Sequence, residues 1–192
     1  GGQQVEGHQP EYESAAAFGT MLLNNDYPSL IRANELCNRY GVDTISAGNC
    51  VAFATECFEH GLIDTKYTDG IELRWGDHEA MNAMLLKLCR REGFGDVLAD
   101  GVRRATELLG PQAEPFAVHV GGQELPMHDP RYEPAMGVIY QLDATPGRHT
   151  QGCQFTAAPG FKNEGPEFGV DRDAQAFRGE WVKERMCLQH VV

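Results

Sequence analysis

Apolar positions recur at helical spacing through most of the first 110 residues of the chain. In residues 29–40, Leu30, Ala33 and Cys37 fall on one face of a helix and Arg39 falls on the other. The same spacing predicts further helices over residues 12–23, 44–60, 77–91 and 96–109. The pattern therefore predicts a mainly α-helical, multihelical fold.

The ends of these helices carry residue types that stop and start helices. Gly41 can adopt the left-handed backbone that closes a helix, and Asp43 or Thr44 can cap the helix that follows. Asp77 is placed to cap the helix over residues 77–91 in the same way. Most such corners only connect packed helices, but an additional acceptor at the start of a helix can also bind a ligand.

The helical spacing weakens in the second half of the chain. Residues 70–75 and 116–120 are candidate short strands, and residues 126–166 are rich in Pro and Gly with little periodicity. A stretch of that length predicts a long irregular segment with a functional role or without fixed structure. We therefore expect two helical subdomains, over residues 1–110 and 111–192.

Charge narrows the classes of partner that this chain can have. The 192 residues carry a formal net charge of −12, and no basic cluster offsets it. This balance argues against binding to nucleic acid or to an anionic membrane surface. No apolar run is long enough to span a bilayer, so we expect a soluble, cytoplasmic protein.

The chain has six cysteines, and none of them forms a C-x-x-C pair. Four of them, Cys37, Cys50, Cys57 and Cys89, lie on apolar faces of predicted helices. Cysteine in such a position behaves as a small buried hydrophobic residue, so we expect free thiols and no metal site. Free thiols are typical of a reducing intracellular compartment.

Four short segments stand out by their residues: PEYES at 10–14, NRYGVDTIS at 38–46, GIELRWGD at 70–77 with GFGDVLADGV at 93–102, and HVGGQELPMHDPR at 119–131. In this order and spacing they resemble segments of the tungsten-containing aldehyde ferredoxin oxidoreductases. The resemblance extends from about residue 7 to residue 149. It implies the middle helical domain of that family and part of its last domain.

The resemblance implies that the segment at residues 38–46 binds a pterin. Asn38, Gly41, Val42 and Asp43 are the implied contacts. The Asp43 carboxylate would accept hydrogen bonds from the amino groups of the pterin, and Gly41 would let the backbone come close to the ring. Arg148 is an implied contact for an anion or a phosphate.

Two further residues correspond to groups that the family places near the metal and the substrate. Glu13, favoured over Glu11 by its register relative to Asp43, would exchange protons with a hydrated aldehyde. His149 would hydrogen-bond the aldehyde oxygen or relay a proton. Pro146 departs from the commoner pattern of the loop that carries this histidine.

The function implied by the resemblance is oxidation of a small aldehyde to a carboxylic acid, with ferredoxin as electron acceptor. The implied cofactors are a tungsten or molybdenum bis-pterin and a 4Fe–4S cluster. The family's cluster cysteines, its second pterin segment and its N-terminal domain have no match here. We therefore expect this chain to be a piece of a longer polypeptide that does not hold a complete cofactor alone.

The alternative is a non-catalytic helical fragment or an association domain. Absence of the cluster cysteines favours that alternative for the chain by itself, and a homo-oligomer is left open by either hypothesis. Tungsten and an iron–sulfur absorbance in the purified protein would favour the enzyme.

Overall fold

A computed structural model describes residues 7–130 and 134–148 of the chain. Within these ranges the fold is mainly α, as the sequence predicts, with two short strands. The chain divides into two compact units, with the border between Met127 and His128. The expected subdomains 1–110 and 111–192 stay a prediction.

The first unit is built mostly from helices. They are α1 (Tyr12–Ala15), which continues as a π-helical turn (Ala16–Thr20), then α2 (Tyr27–Tyr40), α3 (Thr44–Glu59), α4 (His78–Arg90), α5 (Phe94–Leu98) and α6 (Val102–Leu109). A 3₁₀ helix (Pro111–Phe116) leads to the antiparallel strands β1 (His119–Val120) and β2 (Gln123–Glu124), in which His119 pairs with Glu124. The second unit contains α7 (Pro134–Leu142).

Helix α3 forms the centre of the first unit. Most of its residues are buried, including Val51, Phe53 and Ala54, so it is covered on most sides. Helices α1, α2, α4, α5 and α6 and strand β2 all contact it. A helix covered in this way provides a fixed frame for the segments attached to its ends.

The predicted caps are present at both corners. Asp77 accepts hydrogen bonds from the backbone N–H groups of Glu79 and Ala80 at 3.1 and 3.0 Å, at the start of α4. Asp43 caps α3, and Gly41 ends α2 with φ of 68° and ψ of 35°. The prediction that a glycine and an acid would form these helix ends is confirmed.

The prediction of one helix over residues 96–109 is wrong. Gly101, with φ of 89°, separates α5 from α6, because a backbone in that region cannot continue an α-helix. The two short helices carry apolar residues at the same spacing, which hides the break in the sequence.

The candidate strand at residues 70–75 is also absent. Asp69 and Gly70 both have positive φ, and the Thr68 hydroxyl donates to the Ile71 carbonyl at 2.5 Å, so the backbone turns instead of extending. The candidate strand at 116–120 is reduced to His119–Val120. The predicted irregular segment at 126–166 contains α7, whose apolar residues Met136, Ile139 and Tyr140 are buried.

No helix among the described residues is both long and apolar enough to cross a membrane.

Candidate functional site

The segment at residues 10–14 begins helix α1. Glu11 is exposed and caps the helix, its Oε2 accepting from the Glu13 N–H at 2.8 Å. Glu13 lies two residues further on, in the first turn of the helix, and is buried, with 5% of its surface exposed. The two acids of this short segment therefore have different environments: Glu11 is exposed to water and Glu13 is largely shielded from it.

The buried Glu13 carboxylate has a backbone donor from a distant part of the chain. The Met127 N–H donates to Glu13 Oε2 at 2.8 Å across 114 positions. A charged acceptor paired with a backbone N–H is among the stronger hydrogen bonds in proteins. This bond fixes where the carboxylate points.

Tyr12, between the two acids, is more than half exposed. Its pKa is raised above the ordinary value, first by partial burial, then by the Glu13 and Glu11 carboxylates and by a hydrogen bond to Glu13. A phenol is protonated at neutral pH even at its ordinary pKa, and the neighbouring carboxylates favour this form further, so Tyr12 is a hydrogen-bond donor.

The segment at residues 38–43 forms the corner between α2 and α3. The Val42 N–H donates to the Cys37 carbonyl at 2.9 Å, which closes α2 at Gly41. Asp43 Oδ2 accepts from the Ser46 N–H at 2.8 Å, which opens α3. Asn38, Gly41 and Asp43 are exposed and Val42 is half-buried, so the implied pterin contacts lie on an accessible edge.

Position 41 requires glycine because of its backbone conformation, and not because neighbouring atoms leave no room for a side chain. An added Cβ there would meet no atom within 4 Å, whereas a residue with a side chain is strained at φ of 68°. The surface above Gly41 is therefore open to a planar group.

A pair of hydroxyls brings these two segments together. Ser14 Oγ and Thr44 Oγ1 are 2.7 Å apart, at positions directly following Glu13 and Asp43. Ser14 is buried, so the contact is largely shielded from water. The acid predicted to act on substrate and the corner predicted to bind a pterin are thus neighbours within one unit.

Sequence reasoning missed the residues that attach residues 123–127 to the first unit. Asn49 Nδ2 donates to the Leu125 carbonyl at 3.0 Å, and Gln123 Nε2 donates to Ser46 Oγ at 3.2 Å. The buried Glu124 accepts from the Val102 N–H at 2.8 Å and so caps α6. A charged residue in a short strand usually faces solvent, so the sequence carried no sign of this burial.

The second unit contains the other described candidate. Arg148 is half-buried and follows a turn in which Asp143 accepts from the Thr145 N–H at 2.8 Å. Gly147 has φ of 71° and its N–H donates to the Tyr140 carbonyl at 3.1 Å. His149 lies outside the described residues, as do Cys153 and Cys187.

The four described cysteines are free thiols, as predicted. Cys37, Cys50 and Cys57 are buried, but Cys89 is only half-buried, because its place on α4 reaches the edge of the core. The prediction of full burial is therefore wrong for Cys89. Among the residues that the structure describes, no group of three or more His, Cys, Asp or Glu side chains is arranged to hold a metal ion.

Burial raises the pKa of Cys57 to about 12, and burial together with the Glu124 carboxylate raises the pKa of Cys50 well above its usual range. The pKa of Cys37 is raised by its hydrogen bond to Cys89 and by burial. The same hydrogen bond lowers the pKa of Cys89, because it stabilises the thiolate that accepts it.

Comparison with known proteins gives a consistent result. The family model described as aldehyde ferredoxin oxidoreductase, domains 2 & 3, matches residues 1–192. A tungsten-containing aldehyde ferredoxin oxidoreductase of Pyrococcus furiosus is 40% identical over 141 residues, which cover 73% of this chain and 23% of the relative. The corresponding protein of Pyrococcus abyssi is 38% identical over 153 residues, covering 78% and 24%.

An aliphatic sulfonate oxidoreductase, WOR-like subunit, of Pyrococcus furiosus is 33% identical over 147 residues, covering 73% of this chain and 23% of the relative. The chain therefore spans about a quarter of the length of the curated relatives that it matches.

Proposed function

Because this chain belongs to the aldehyde ferredoxin oxidoreductase family, we propose that it is part of an enzyme that oxidises a small aldehyde to a carboxylic acid and reduces ferredoxin. A tungsten or molybdenum bis-pterin with a 4Fe–4S cluster would supply the redox chemistry when bound. The observation that carries the proposal is the buried Glu13 carboxylate, held in one orientation next to the corner at residues 38–43.

The corner fits one edge of a pterin. A pterin presents amino and ring N–H donors, and the exposed residues Asp43 and Asn38, on either side of Gly41 in the sequence, carry acceptor oxygens. Gly41 leaves the backbone open above the turn, and Val42 adds an apolar contact. Capping α3 is compatible with this role, because an ionised carboxylate has about four acceptor positions.

Glu13 would hold or transfer the proton that aldehyde oxidation requires. Its carboxylate is shielded from water and oriented by the Met127 N–H. The Glu13 carboxyl group would therefore accept or donate a proton from a fixed position. His149 would hydrogen-bond the aldehyde oxygen, and Arg148 would bind an anionic group; both assignments rest on the resemblance. Soluble ferredoxin as the partner is consistent with a protein that we propose to be cytoplasmic.

The proposal is tested in the full-length enzyme with Glu13→Gln and His149→Ala. We expect both variants to retain metal and pterin and to lose turnover by about 10²–10⁴-fold, the usual contribution of a general acid or base. Glu107→Gln, at an exposed glutamate paired with Arg104 on α6, is the matched control and should keep wild-type turnover. Wild-type turnover in Glu13→Gln would overturn the role proposed for Glu13.

A non-catalytic helical domain is the alternative. Metal analysis and the visible spectrum of the purified full-length protein separate the two hypotheses. Tungsten or molybdenum together with a brown iron–sulfur absorbance supports the enzyme, whereas a colourless, metal-free protein supports the alternative.

A further inference from the structure

The hydrogen bond to Glu13 depends on a short segment, residues 123–127, which we call the clamp segment. Its last residue supplies the Met127 N–H that donates to Glu13 Oε2 at 2.8 Å. The position of that N–H therefore depends on what fixes the backbone just before it.

Asn49 on α3 fixes that backbone directly. Its Nδ2 donates to the Ile45 carbonyl one turn earlier at 2.9 Å and to the Leu125 carbonyl at 3.0 Å. Both hydrogens of the side-chain amide are used, so its plane has one orientation. Because α3 is the buried central helix, the Leu125 carbonyl is held to the most rigid part of the unit.

Pro126 transmits this position to Met127. The proline ring locks its own φ near −65° and restricts the preceding Leu125 to extended conformations. Few backbone rotations then remain between the Leu125 carbonyl and the Met127 N–H. Pro126 is also buried, which limits its movement further.

The other hydrogen bonds of the clamp segment are made by residues further from Met127. Glu124 accepts from the Val102 N–H and from the Cys50 thiol, and so joins the segment to α6 and α3. Gln123 bonds Ser46 at the opposite end of the segment from Met127. Asn49 bonds the Leu125 carbonyl, which only Pro126 separates from the Met127 amide.

We propose that Asn49 is a positioning residue for Glu13: by holding the Leu125 carbonyl, it places the Met127 N–H that orients the carboxylate. This inference rests on the proposed function of Glu13. An aspartate at position 49 would not serve, because it has no N–H to donate and would set a charge against the carbonyl. Alanine would keep the helix and remove the hydrogen bonds to the Ile45 and Leu125 carbonyls.

The test uses the full-length protein with Asn49→Ala, Asn49→Asp and Pro126→Ala. The first measurement is hydrogen exchange of the Met127 amide, which is simple to isolate because Pro126 has no N–H. We expect about fivefold to tenfold faster exchange in both Asn49 variants, which is the change that loss of one hydrogen bond would cause. We expect a smaller increase in Pro126→Ala. The second measurement is kinetic, and kcat should fall by about tenfold in the Asn49 variants with KM unchanged.

Asn82→Ala is the matched control. Asn82 is a buried helical asparagine whose Nδ2 bonds the His78 carbonyl one turn earlier at 3.0 Å, as Asn49 bonds Ile45, and this bond stays within α4. We expect it to lower thermal stability without changing Met127 exchange or kcat.

Unchanged Met127 exchange in Asn49→Ala would overturn the proposal, and so would faster exchange with wild-type kcat. Glu13→Gln, measured in the same assays, separates this inference from the proposed function. If Glu13→Gln loses turnover while Asn49→Ala keeps it, only the positioning role fails. If Glu13→Gln keeps turnover, the proposed function of Glu13 fails, whatever the exchange data show.

Discussion

Ser14 Oγ and Thr44 Oγ1 are 2.7 Å apart across 30 positions of sequence, and this pair joins helix α1 to the start of α3. Each hydroxyl follows a candidate site residue, Glu13 or Asp43. One hydrogen bond between two small side chains therefore links the proposed proton-handling acid to the proposed pterin corner.

Ser14→Ala and Thr44→Val should be energetically coupled. We expect a double-mutant cycle on the free energy of unfolding of the chain to give a coupling of about 0.5–1.5 kcal/mol, the usual net value of such a bond. Thr55→Val is the control partner, because the Thr55 hydroxyl bonds the Val51 carbonyl of its own helix at 2.8 Å. If the changes in unfolding free energy caused by Ser14→Ala and Thr44→Val were additive, the contact would not stabilise the pair of helices.

Substitutions at Asp43 should separate its structural role from its proposed binding role. Asp43→Ala removes the cap on the Ser46 N–H and should destabilise the protein by about 1 kcal/mol. Asp43→Ser keeps a capping oxygen and should cost a few tenths of that, yet it removes the charge. We expect both variants of the full-length enzyme to retain less pterin, measured as pterin per protein after gel filtration. Full pterin retention in Asp43→Ser would argue against a charged contact.

Gly48→Ala should loosen the π-helical turn that follows α1 from α3. An ideal Cβ at Gly48 would lie 2.7 Å from Ala17 Cβ and 3.1 Å from the Ala17 carbonyl oxygen. Overpacking of this kind should lower the free energy of unfolding by about 1–2 kcal/mol after a gain of ~1 kcal/mol in helix propensity. Gly19→Ala is the control, since its nearest neighbour would be a Leu30 methyl at 3.5 Å. Equal effects at the two glycines would contradict the argument.

The thiols of Cys89 and Cys57 should differ in reactivity and in pH dependence. Thiolates are the reactive species, so at pH 8 we expect Cys89 to be alkylated at least ~10²-fold faster than Cys57 in the folded chain. The Cys57 rate should keep rising with pH up to about 12, because deprotonation there is suppressed by burial. Peptide mass spectrometry measures both, and in denaturant the two rates should become similar. Fast labelling of Cys57 in the folded chain would show that it is not buried.

The helix ends could be predicted because their causes are local. Asp43, Asp77 and Gly41 act on backbone groups within a few residues, and sequence shows those residues side by side. The break at Gly101 was missed because a single glycine with positive φ does not disturb the apolar spacing around it. The missing strand at 70–75 could not be foreseen for a different reason. A strand needs a pairing partner, and no local sequence pattern can reveal one.

The site was less predictable than the helices. The choice of Glu13 over Glu11 came from register, and its burial follows from the packing of the whole unit. The Met127 contact and the Asn49 bond join residues 114 and 76 positions apart. No spacing rule reaches that far, so those partners could be found only from the three-dimensional structure.

The separation of Glu13 and Met127 by 114 positions in the sequence has a consequence for biosynthesis. The cap bonds of the corner at residues 38–46 join residues that are close in sequence, whereas the carboxylate cannot be clamped until residue 127 has been made. We expect nascent chains to have the proposed pterin edge before they have an oriented acid. A cofactor inserted at that stage would sit beside a mobile glutamate, so insertion after synthesis of the clamp segment gives the ordered site directly.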